Sequence, residues 1–321
     1  ADTCDTSSMA NLLRTAGSLM DAYERWAQMP RAERRRLHED LSELEPIPAL
    51  AGRSVNPSRV LLTGSSGCLG RLASCALRSR GHHVRGADLR PANHPLDEFL
   101  EIDLGDSDAV LFAAEGVDNI VHLGALPGFR LLTDAAIRAN LLGVQNIYEA
   151  AKSLGVSRVV LASTTQLAVR AAEQGRVATT CEAEPLNHYA LLKHWAEGVA
   201  QMYHVKDGID SLVLRIGFVP RSPFQVVEAL TKKCPMFYLS HCDFQRCIIR
   251  TVESMWNGCR RCYAVSNAPK GSTLADLGPT RRLLGYEPMN RFPEGLMFSQ
   301  RVMRMLKDTF PNSHCSVAPK R

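Results

Sequence analysis

The sequence lacks a long apolar run, a strong excess of charge of either sign and a regular spacing of cysteines. Its apolar stretches end well short of the roughly 20 residues that a membrane-spanning helix requires. The net charge is only +5 over 321 residues, with acidic and basic residues interspersed, so the composition favours neither a nucleic-acid nor a membrane partner. The ten cysteines follow no disulfide framework and no secretory signal is visible, which predicts a reducing, cytoplasmic location.

The stretch around which the chain is organised is SRVLLTGSSGCLG, from Ser58 to Gly70. An apolar strand leads into a turn with glycines at Gly64, Gly67 and Gly70. A turn of this kind needs glycine because a β-carbon would block either a pyrophosphate or the packing of the following helix on the strand. That helix offers free N–H groups and its positive dipole end to phosphates. The spacing GxxGxxG therefore predicts a dinucleotide-binding turn.

A second predicted strand ends in Asp88, about 20 residues beyond the turn. A carboxylate at this position accepts hydrogen bonds from the adenine ribose hydroxyls and repels a 2′-phosphate. Asp88 therefore predicts NAD rather than NADP as the cofactor, and the nearby Arg90 weakens that preference.

Strands and helices alternate from Ser58 onward, which predicts a doubly wound, Rossmann-type parallel sheet covered on both faces. Four further strands are predicted at Phe99–Leu104, Asn119–Leu123, Arg158–Ser163 and Ser211–Ile216, and two long helices at Ala135–Leu154 and Tyr189–Val205. Ligands of such sheets bind beyond the carboxyl ends of the strands.

The first 57 residues differ from the rest of the chain. Apolar residues recur at near-helical spacing from Leu12 to Trp26, and a second helical stretch covers Arg31 to Leu44. We predict three segments: a helical extension and linker over 1–57, a Rossmann domain with an integrated C-terminal substrate lid over 58–303, and a tail over 304–321.

Tyr189 and Lys193 lie four residues apart, on one face of the predicted helix. A neighbouring ammonium stabilises a tyrosinate, so Tyr189 is a candidate general base for removing a hydroxyl proton while a hydride leaves the same carbon. The fifth strand ends in Ser163, Thr164 and Thr165, whose hydroxyls are candidate hydrogen-bond partners of the substrate oxygen.

In combination, these features resemble an extended short-chain dehydrogenase/reductase of the NAD-dependent epimerase/dehydratase family. The resemblance covers about Ser58 to Arg301 and rests on TGSSGCLG, Asp88, Asp103–Leu104, HLGA from His122, NLLG from Asn140, RVVLASTT from Arg158, Tyr189 with Lys193, and RIG from Arg215. Within this family the chain is most similar to uronate dehydrogenases, which oxidise a hexuronic acid at C1. The likeness includes ASTTQ from Ala162, YLSHCDF from Tyr238 and LLGYEP from Leu283.

The resemblance implies a set of site residues and a homodimer or larger oligomer built from the two long helices. Catalysis would involve Tyr189, Lys193, Thr164 and Ser163. The cofactor would contact Gly64, Gly67, Cys68, Leu69, Gly70, Asp88, Asp103, Leu104, Leu123, Gly124, Ala125, Asn140, Tyr189, Lys193 and Ile216, and a small sugar-like substrate would contact Thr164, Thr165, Pro127, Phe218 and Arg221.

The chain departs from uronate dehydrogenases in three places. It has Thr165 where they carry Asn and Phe218 where they carry Ser. The loop after the sixth strand differs in length, and only Arg221 offers a cation near it for a substrate carboxylate, which must be paired when it is buried.

Three other interpretations compete with the dehydrogenase. A sugar or nucleotide-sugar epimerase is disfavoured because only about 100 residues follow Gly217 and form a small lid. A non-catalytic NAD-binding protein is disfavoured because both Tyr189 and Lys193 are present. A metal site at Cys259 and Cys262 has ligand spacing, but its partners are irregular and Cys262 starts a strand-like stretch, so we predict no metal.

Overall fold

The computed structural model describes residues 19–30, 54, 56–126, 132–175, 177–231, 237–267 and 275–309. The predicted helical stretch Arg31–Leu44 and the predicted substrate residue Pro127 lie outside them. None of the helices in the described ranges combines the length and the apolar character that crossing a membrane requires.

Seven strands of the described chain form one parallel sheet in the order β3-β2-β1-β4-β5-β6-β7. They are β1 Arg59–Thr63, β2 His83–Asp88, β3 Glu98–Glu101, β4 Asn119–His122, β5 Arg158–Thr164, β6 Asp210–Ile216 and β7 Cys259–Ala264. The strand order reverses between β1 and β4, which confirms the doubly wound prediction and places a crevice where those two strands end. The seventh strand includes Cys262, where the sequence predicted a strand to start.

The helices within the same residues cover both faces of the sheet. They are α1 Leu19–Gln28, α2 Cys68–Ser79, α3 Ser107–Ala114, α4 Asp134–Ile137, α5 Gly143–Leu154, α6 Val169–Glu173, α7 His188–Asp207, α8 Pro223–Thr231, α9 His241–Glu253, α10 Gly278–Leu284 and α11 Gln300–Thr309, with a π-helical turn at Arg138–Leu142 and a 3-10 helix at Thr165–Ala168.

Two predicted elements differ in the structure from their predicted form. Strand β3 ends three residues earlier than predicted, because the Asp103 carboxylate accepts a hydrogen bond from Gly105 N at 2.8 Å and turns the chain. The long helix predicted from Ala135 contains the π-helical turn. Asn140 lies in this turn and is buried.

The N-terminal helix α1 is part of the main hydrophobic core. Ala22 and Trp26 are buried in the cluster that also contains residues of α2, α8, α9 and α11. The Trp26 ring lies 5.2 Å from the ring of Phe224 on α8, centroid to centroid. At the other end of the chain, α11 continues across residue 304, where the tail was predicted to begin.

Candidate active site

The glycine turn after β1 is closed so tightly that two of its glycines admit no side chain. A β-carbon on Gly64 would lie 2.7 Å from Gly124 N, and one on Gly70 would lie 2.2 Å from Gly64 O. Gly64 also has a φ of +70°, which glycine adopts most easily. Helix α2 begins at Cys68, and no side chain of its N-cap Gly67 covers its first N–H groups. Leu69 follows in the first turn of the helix.

Asp88, at the end of β2, connects the first two strand-end loops. Its Oδ2 accepts from Ser66 N and its Oδ1 from Arg90 N, both at 3.0 Å. Ser66 Oγ in turn donates to Arg90 O at 2.7 Å. The carboxylate is thereby fixed beside the glycine turn, at the place where a dinucleotide's ribose is expected.

Asp103 and Leu104 lie beyond the end of β3. Besides its bond from Gly105 N, the Asp103 carboxylate accepts from Arg138 Nη2 at 3.0 Å, and both bonds lower its pKa. Leu104 packs on Gly124 so closely that a β-carbon there would lie 2.5 Å from Leu104 Cδ1.

The segment after β4 contains Leu123, Gly124 and Ala125. Gly124 N donates to Thr63 Oγ1 at 3.2 Å. Farther along this segment, Asn140 holds the backbone of Leu126 from both sides, accepting from its N–H and donating to its carbonyl at 2.9 Å each.

Tyr189 and Lys193 lie one turn apart on α7, which begins at a cap formed by Asn187. Asn187 Oδ1 accepts from Ala190 N at 2.9 Å, and its Nδ2 donates to Gln166 Oε1 at 2.7 Å, which ties the start of α7 to the end of β5. Lys193 Nζ lies 5.9 Å from the centre of the Tyr189 ring and donates to Ala162 O at 2.8 Å.

Burial changes the pKa values of both Tyr189 and Lys193. It raises the pKa of Tyr189, which the charge of Arg221 partly lowers, and it lowers the pKa of Lys193 to about 8. The sequence attributed the charge that stabilises tyrosinate to Lys193. In the structure the cation that lowers the Tyr189 pKa is Arg221, which also lowers the burial-raised pKa of Cys68 in the glycine turn. The charge of Arg221 therefore acts on both the candidate base and the dinucleotide turn.

A model of the NAD dependent epimerase/dehydratase family matches residues 60–235, more than half of the chain. The chain belongs to this family. Membership confirms the predictions of an enzyme with a Rossmann fold and of NAD as its cofactor.

The relatives of this family member include several sugar dehydrogenases. A uronate dehydrogenase from Pseudomonas syringae pv. tomato is 32% identical over 213 residues, 65% of this chain and 75% of the relative. An L-arabinose 1-dehydrogenase (NAD(P)(+)) from Haloferax volcanii is 28% identical over 251 residues, 72% of this chain and 96% of the relative.

The solved structures that resemble this fold include enzymes of the same kind. The uronate dehydrogenase from Agrobacterium tumefaciens superimposes with a TM-score of 0.62 at 25% identity, covering 84% of this chain and 92% of its own. A glucuronic acid dehydrogenase from Chromohalobacter salexigens gives a TM-score of 0.63 at 28% identity, covering 82% and 92%.

The residues at the strand ends fit NAD. The glycine turn keeps its closed form only while Gly64 and Gly70 carry no β-carbon, the first N–H groups of α2 have no side-chain cap, and the fixed Asp88 carboxylate lies beside this turn. NAD⁺ bound here would accept a hydride from the substrate carbon.

The three hydroxyls at the end of β5 have different surroundings. Thr164 Oγ1 accepts from Gln166 N at 3.2 Å, and Thr165 Oγ1 donates to Ile216 O at 3.4 Å, which joins the ends of β5 and β6. Ser163 points to the opposite face of the sheet from Thr164, as neighbours on a strand do. Its hydroxyl donates to Glu197 Oε1 at 2.6 Å.

Glu197 belongs to a buried ion pair that sequence reasoning missed. Arg215 donates to both of its carboxylate oxygens at 2.9 Å, and Arg261 adds a third bond at 3.1 Å. Burial opposes ionisation of Glu197, but the bonds from Arg215 outweigh it and lower its pKa. Glu197 lies one turn beyond Lys193, so the i, i+4 spacing from Tyr189 through Lys193 was the available indication.

His122 is a second residue that the sequence did not single out. The histidine is fully buried, and its Nδ1 lies 2.8 Å from Thr63 Oγ1. Thr63 Oγ1 also accepts from Gly124 N at 3.2 Å, so this hydroxyl joins His122 to the segment after β4. Burial, together with the charge of Lys193, lowers the His122 pKa to about 3, so the ring is neutral.

The loop after β6 carries the predicted substrate residues Phe218 and Arg221. Phe218 is held by backbone bonds, donating to Phe237 O at 2.5 Å and accepting from Leu239 N at 2.9 Å. Arg221 is exposed, and its backbone N donates to Gln225 Oε1 at 2.7 Å.

The metal-site alternative from the sequence concerned Cys259 and Cys262. Within the described chain, no three histidine, cysteine or acidic side chains are grouped to hold a metal ion. Cys259 and Cys262 are free, and burial raises the pKa of both thiols.

Proposed function

We propose that this protein oxidises the hemiacetal hydroxyl of a hexuronate-like sugar, transferring a hydride to NAD⁺. Tyr189 removes the hydroxyl proton, Thr164 hydrogen-bonds the same oxygen, and Arg221 pairs with the substrate carboxylate. Lys193 stays charged near neutral pH, since its pKa of about 8 lies above it, and would hold the nicotinamide ribose through hydrogen bonds.

The observation that carries this proposal is the pairing of Tyr189 with Lys193 on α7, where Lys193 Nζ lies 5.9 Å from the centre of the phenol ring. Arg221 is exposed on a different element, the loop between β6 and α8, and its charge partly offsets the burial-raised pKa of Tyr189. We assign the substrate carboxylate to this arginine. The relatives named for uronate or glucuronic acid dehydrogenation support a substrate of this class.

Ser163 has a different place in this proposal from Thr164. Its hydroxyl donates a hydrogen bond to the buried Glu197, so we assign the hydrogen bond to the substrate oxygen to Thr164 alone. We propose that Ser163 instead fixes the end of β5 to α7.

The first experiment measures reduced-nicotinamide absorbance with NAD⁺ and glucuronate, galacturonate, glucose or galactose. We expect turnover of the uronates and weak or no turnover of the neutral sugars. The Tyr189→Phe protein should keep NAD binding and lose turnover. Absence of reduction by every uronate, with NAD binding intact, would refute the dehydrogenase and favour an epimerase or a non-catalytic NAD-binding protein.

The role of Arg221 is tested with Arg221→Met. A hydrogen-bonded charge pair contributes about 1.5–3 kcal/mol, so kcat/KM for uronates should fall roughly 10- to 100-fold while that for any neutral sugar stays unchanged. Arg260→Met is the matched control, because Arg260 is exposed at the amino end of β7. An equal loss for charged and neutral sugars would contradict the carboxylate role.

The proposed assembly is a homodimer through α5 and α7. Trp195 and Met202 lie on α7 with 39% and 50% of their surfaces exposed, and together with Val199 they line a groove between the two helices. Large exposed apolar side chains at a groove are typical of an interface. Trp195→Glu with Met202→Glu should convert a dimer to a monomer in sedimentation, whereas a monomeric wild type contradicts this part of the proposal.

The proposed location is the reducing cytoplasm. The seven cysteines in the described ranges are all free thiols, which supports a compartment where thiols stay reduced.

A further inference from the structure

The His241 ring bridges two segments that lie far from it in the sequence. Met297 N donates to His241 Nδ1 at 3.0 Å, so Nδ1 is unprotonated and the ring hydrogen lies on Nε2. Nε2 donates to Pro220 O at 2.7 Å. The histidine has no exposed surface, and its ring meets that of Phe298 edge-on at 5.2 Å. Both nitrogens are thus used, and the tautomer is fixed.

His241 stands on a rigid base at the start of α9. Ser240 caps this helix by accepting from Asp243 N at 2.9 Å. Asp243 is fully buried and its carboxylate accepts from the backbone of Met289 and Asn290, at 2.9 and 3.1 Å. The C-terminal segment is therefore fastened to α9 on both sides of His241, and the ring has little freedom to move.

The partner of His241 in the substrate loop is the carbonyl next to Arg221. The loop is anchored at Phe218 by backbone bonds and at Arg221 N by Gln225. Between these two anchors, Pro220 contributes no N–H, and its carbonyl is held by His241. The direction in which the chain enters Arg221 therefore depends on this bond.

We propose that His241 is a positioning residue for substrate recognition, whose Nε2–H holds the Pro220 carbonyl and thereby sets the path of the loop at Arg221. This inference rests on the proposed function, because that function assigns the substrate carboxylate to Arg221. Burial also lowers the His241 pKa to about 4, so near neutral pH the ring is uncharged, with one donor and one acceptor.

Two conservative variants separate the two hydrogen bonds of the ring. Asparagine reaches about as far as Nδ1, so His241→Asn keeps an acceptor for Met297 N and loses the bond to Pro220. Glutamine reaches about as far as Nε2, so His241→Gln keeps a donor for Pro220 O and loses the acceptor for Met297 N. Each variant removes one bond of a buried histidine, and their difference isolates the bond to the loop.

The kinetic measurement compares KM for the uronate and the dissociation constant for NAD. We expect His241→Asn to raise the uronate KM by roughly 10-fold and to narrow the preference for uronates over neutral sugars. We expect His241→Gln to remain within about twofold of the wild type, and NAD binding to be the same in all three proteins. Equal KM values in the two variants would overturn the proposal.

A second measurement needs no turnover. Limited trypsin digestion reports cleavage between Arg221 and Ser222, with cleavage after Lys152 on α5 as the internal reference. His241→Asn should be cut at Arg221 at least several-fold faster than wild type and His241→Gln. Equal cleavage in the two variants would overturn the proposal that the His241–Pro220 hydrogen bond holds the loop. Faster cleavage of His241→Asn, together with no turnover of uronates by the wild type, would support the role of this bond and refute the proposed substrate.

Discussion

Replacing Glu197 with glutamine removes one charge of the buried ion pair without changing the size of the side chain. Arg215 would keep its charge with only 2% of its side chain exposed. Its remaining bonds would be those to a neutral amide oxygen, to the Tyr263 hydroxyl at 3.4 Å and to Cys181 Sγ at 3.9 Å. Breaking one side of a buried pair costs about 3–5 kcal/mol, because the other charge is left uncompensated. We expect Glu197→Gln to lower the free energy of unfolding by that amount.

The measurement is urea unfolding followed by far-UV circular dichroism, with refolding checked for reversibility. Glu287→Gln is the matched control: Glu287 bonds Arg281 at 2.7 Å, but 64% and 44% of the two side chains are exposed, so its loss should cost less than about 1 kcal/mol. A double variant, Glu197→Leu with Arg215→Met, should recover more than half of the loss, since an apolar pair removes both buried charges. A Glu197→Gln protein as stable as Glu287→Gln would refute the reasoning.

Three further outcomes follow from buried groups. His122 and His241 have pKa values lowered to about 3 and 4. Between pH 6.5 and 4 the unfolded chain therefore binds protons that the folded chain does not. The free energy of unfolding should decrease as the pH is lowered, by about 4 kcal/mol at pH 5. Urea curves at several pH values measure this, and stability that is constant from pH 7 to 5 contradicts it. Gly70→Ala should abolish NAD binding in calorimetry, since its β-carbon would lie 2.2 Å from a backbone oxygen of the turn. Gly198→Ala is the control, because Gly198 faces open space on α7; this substitution should raise the free energy of unfolding by up to about 1 kcal/mol. Trp26→Ala should cost about 3–5 kcal/mol in thermal unfolding; a loss below 1 kcal/mol would mean that α1 is dispensable to the core.

Sequence reasoning predicted those parts of the candidate site that depend on local pattern. The glycine turn, Asp88 and the Tyr189–Lys193 pair each follow from spacing within one strand-helix unit, because the steric and helical periodicities that define them are short-range. The structure places these residues at the carboxyl end of one sheet, as the alternation of strands and helices predicted.

The missed features depend on contacts between distant residues. Ser163 and Thr164 must face opposite sides of a strand, but the sequence does not say which side holds Glu197. His241 meets partners 21 and 56 residues away, and no local pattern marks either one. Similarly, the apolar spacing in α1 predicted a buried face without naming Phe224 as the surface that covers it.

The packing of α1 in the same core as α11 has a consequence for the order in which this chain is made. Residues 28 and 300 belong to opposite ends of the sequence, yet Trp26 is buried in one cluster with Val302 and Leu306. A chain emerging from the ribosome with its N-terminus first therefore displays the apolar face of α1 long before its covering helix has been synthesised. Completion of this core is therefore a late step in the folding of the nascent chain.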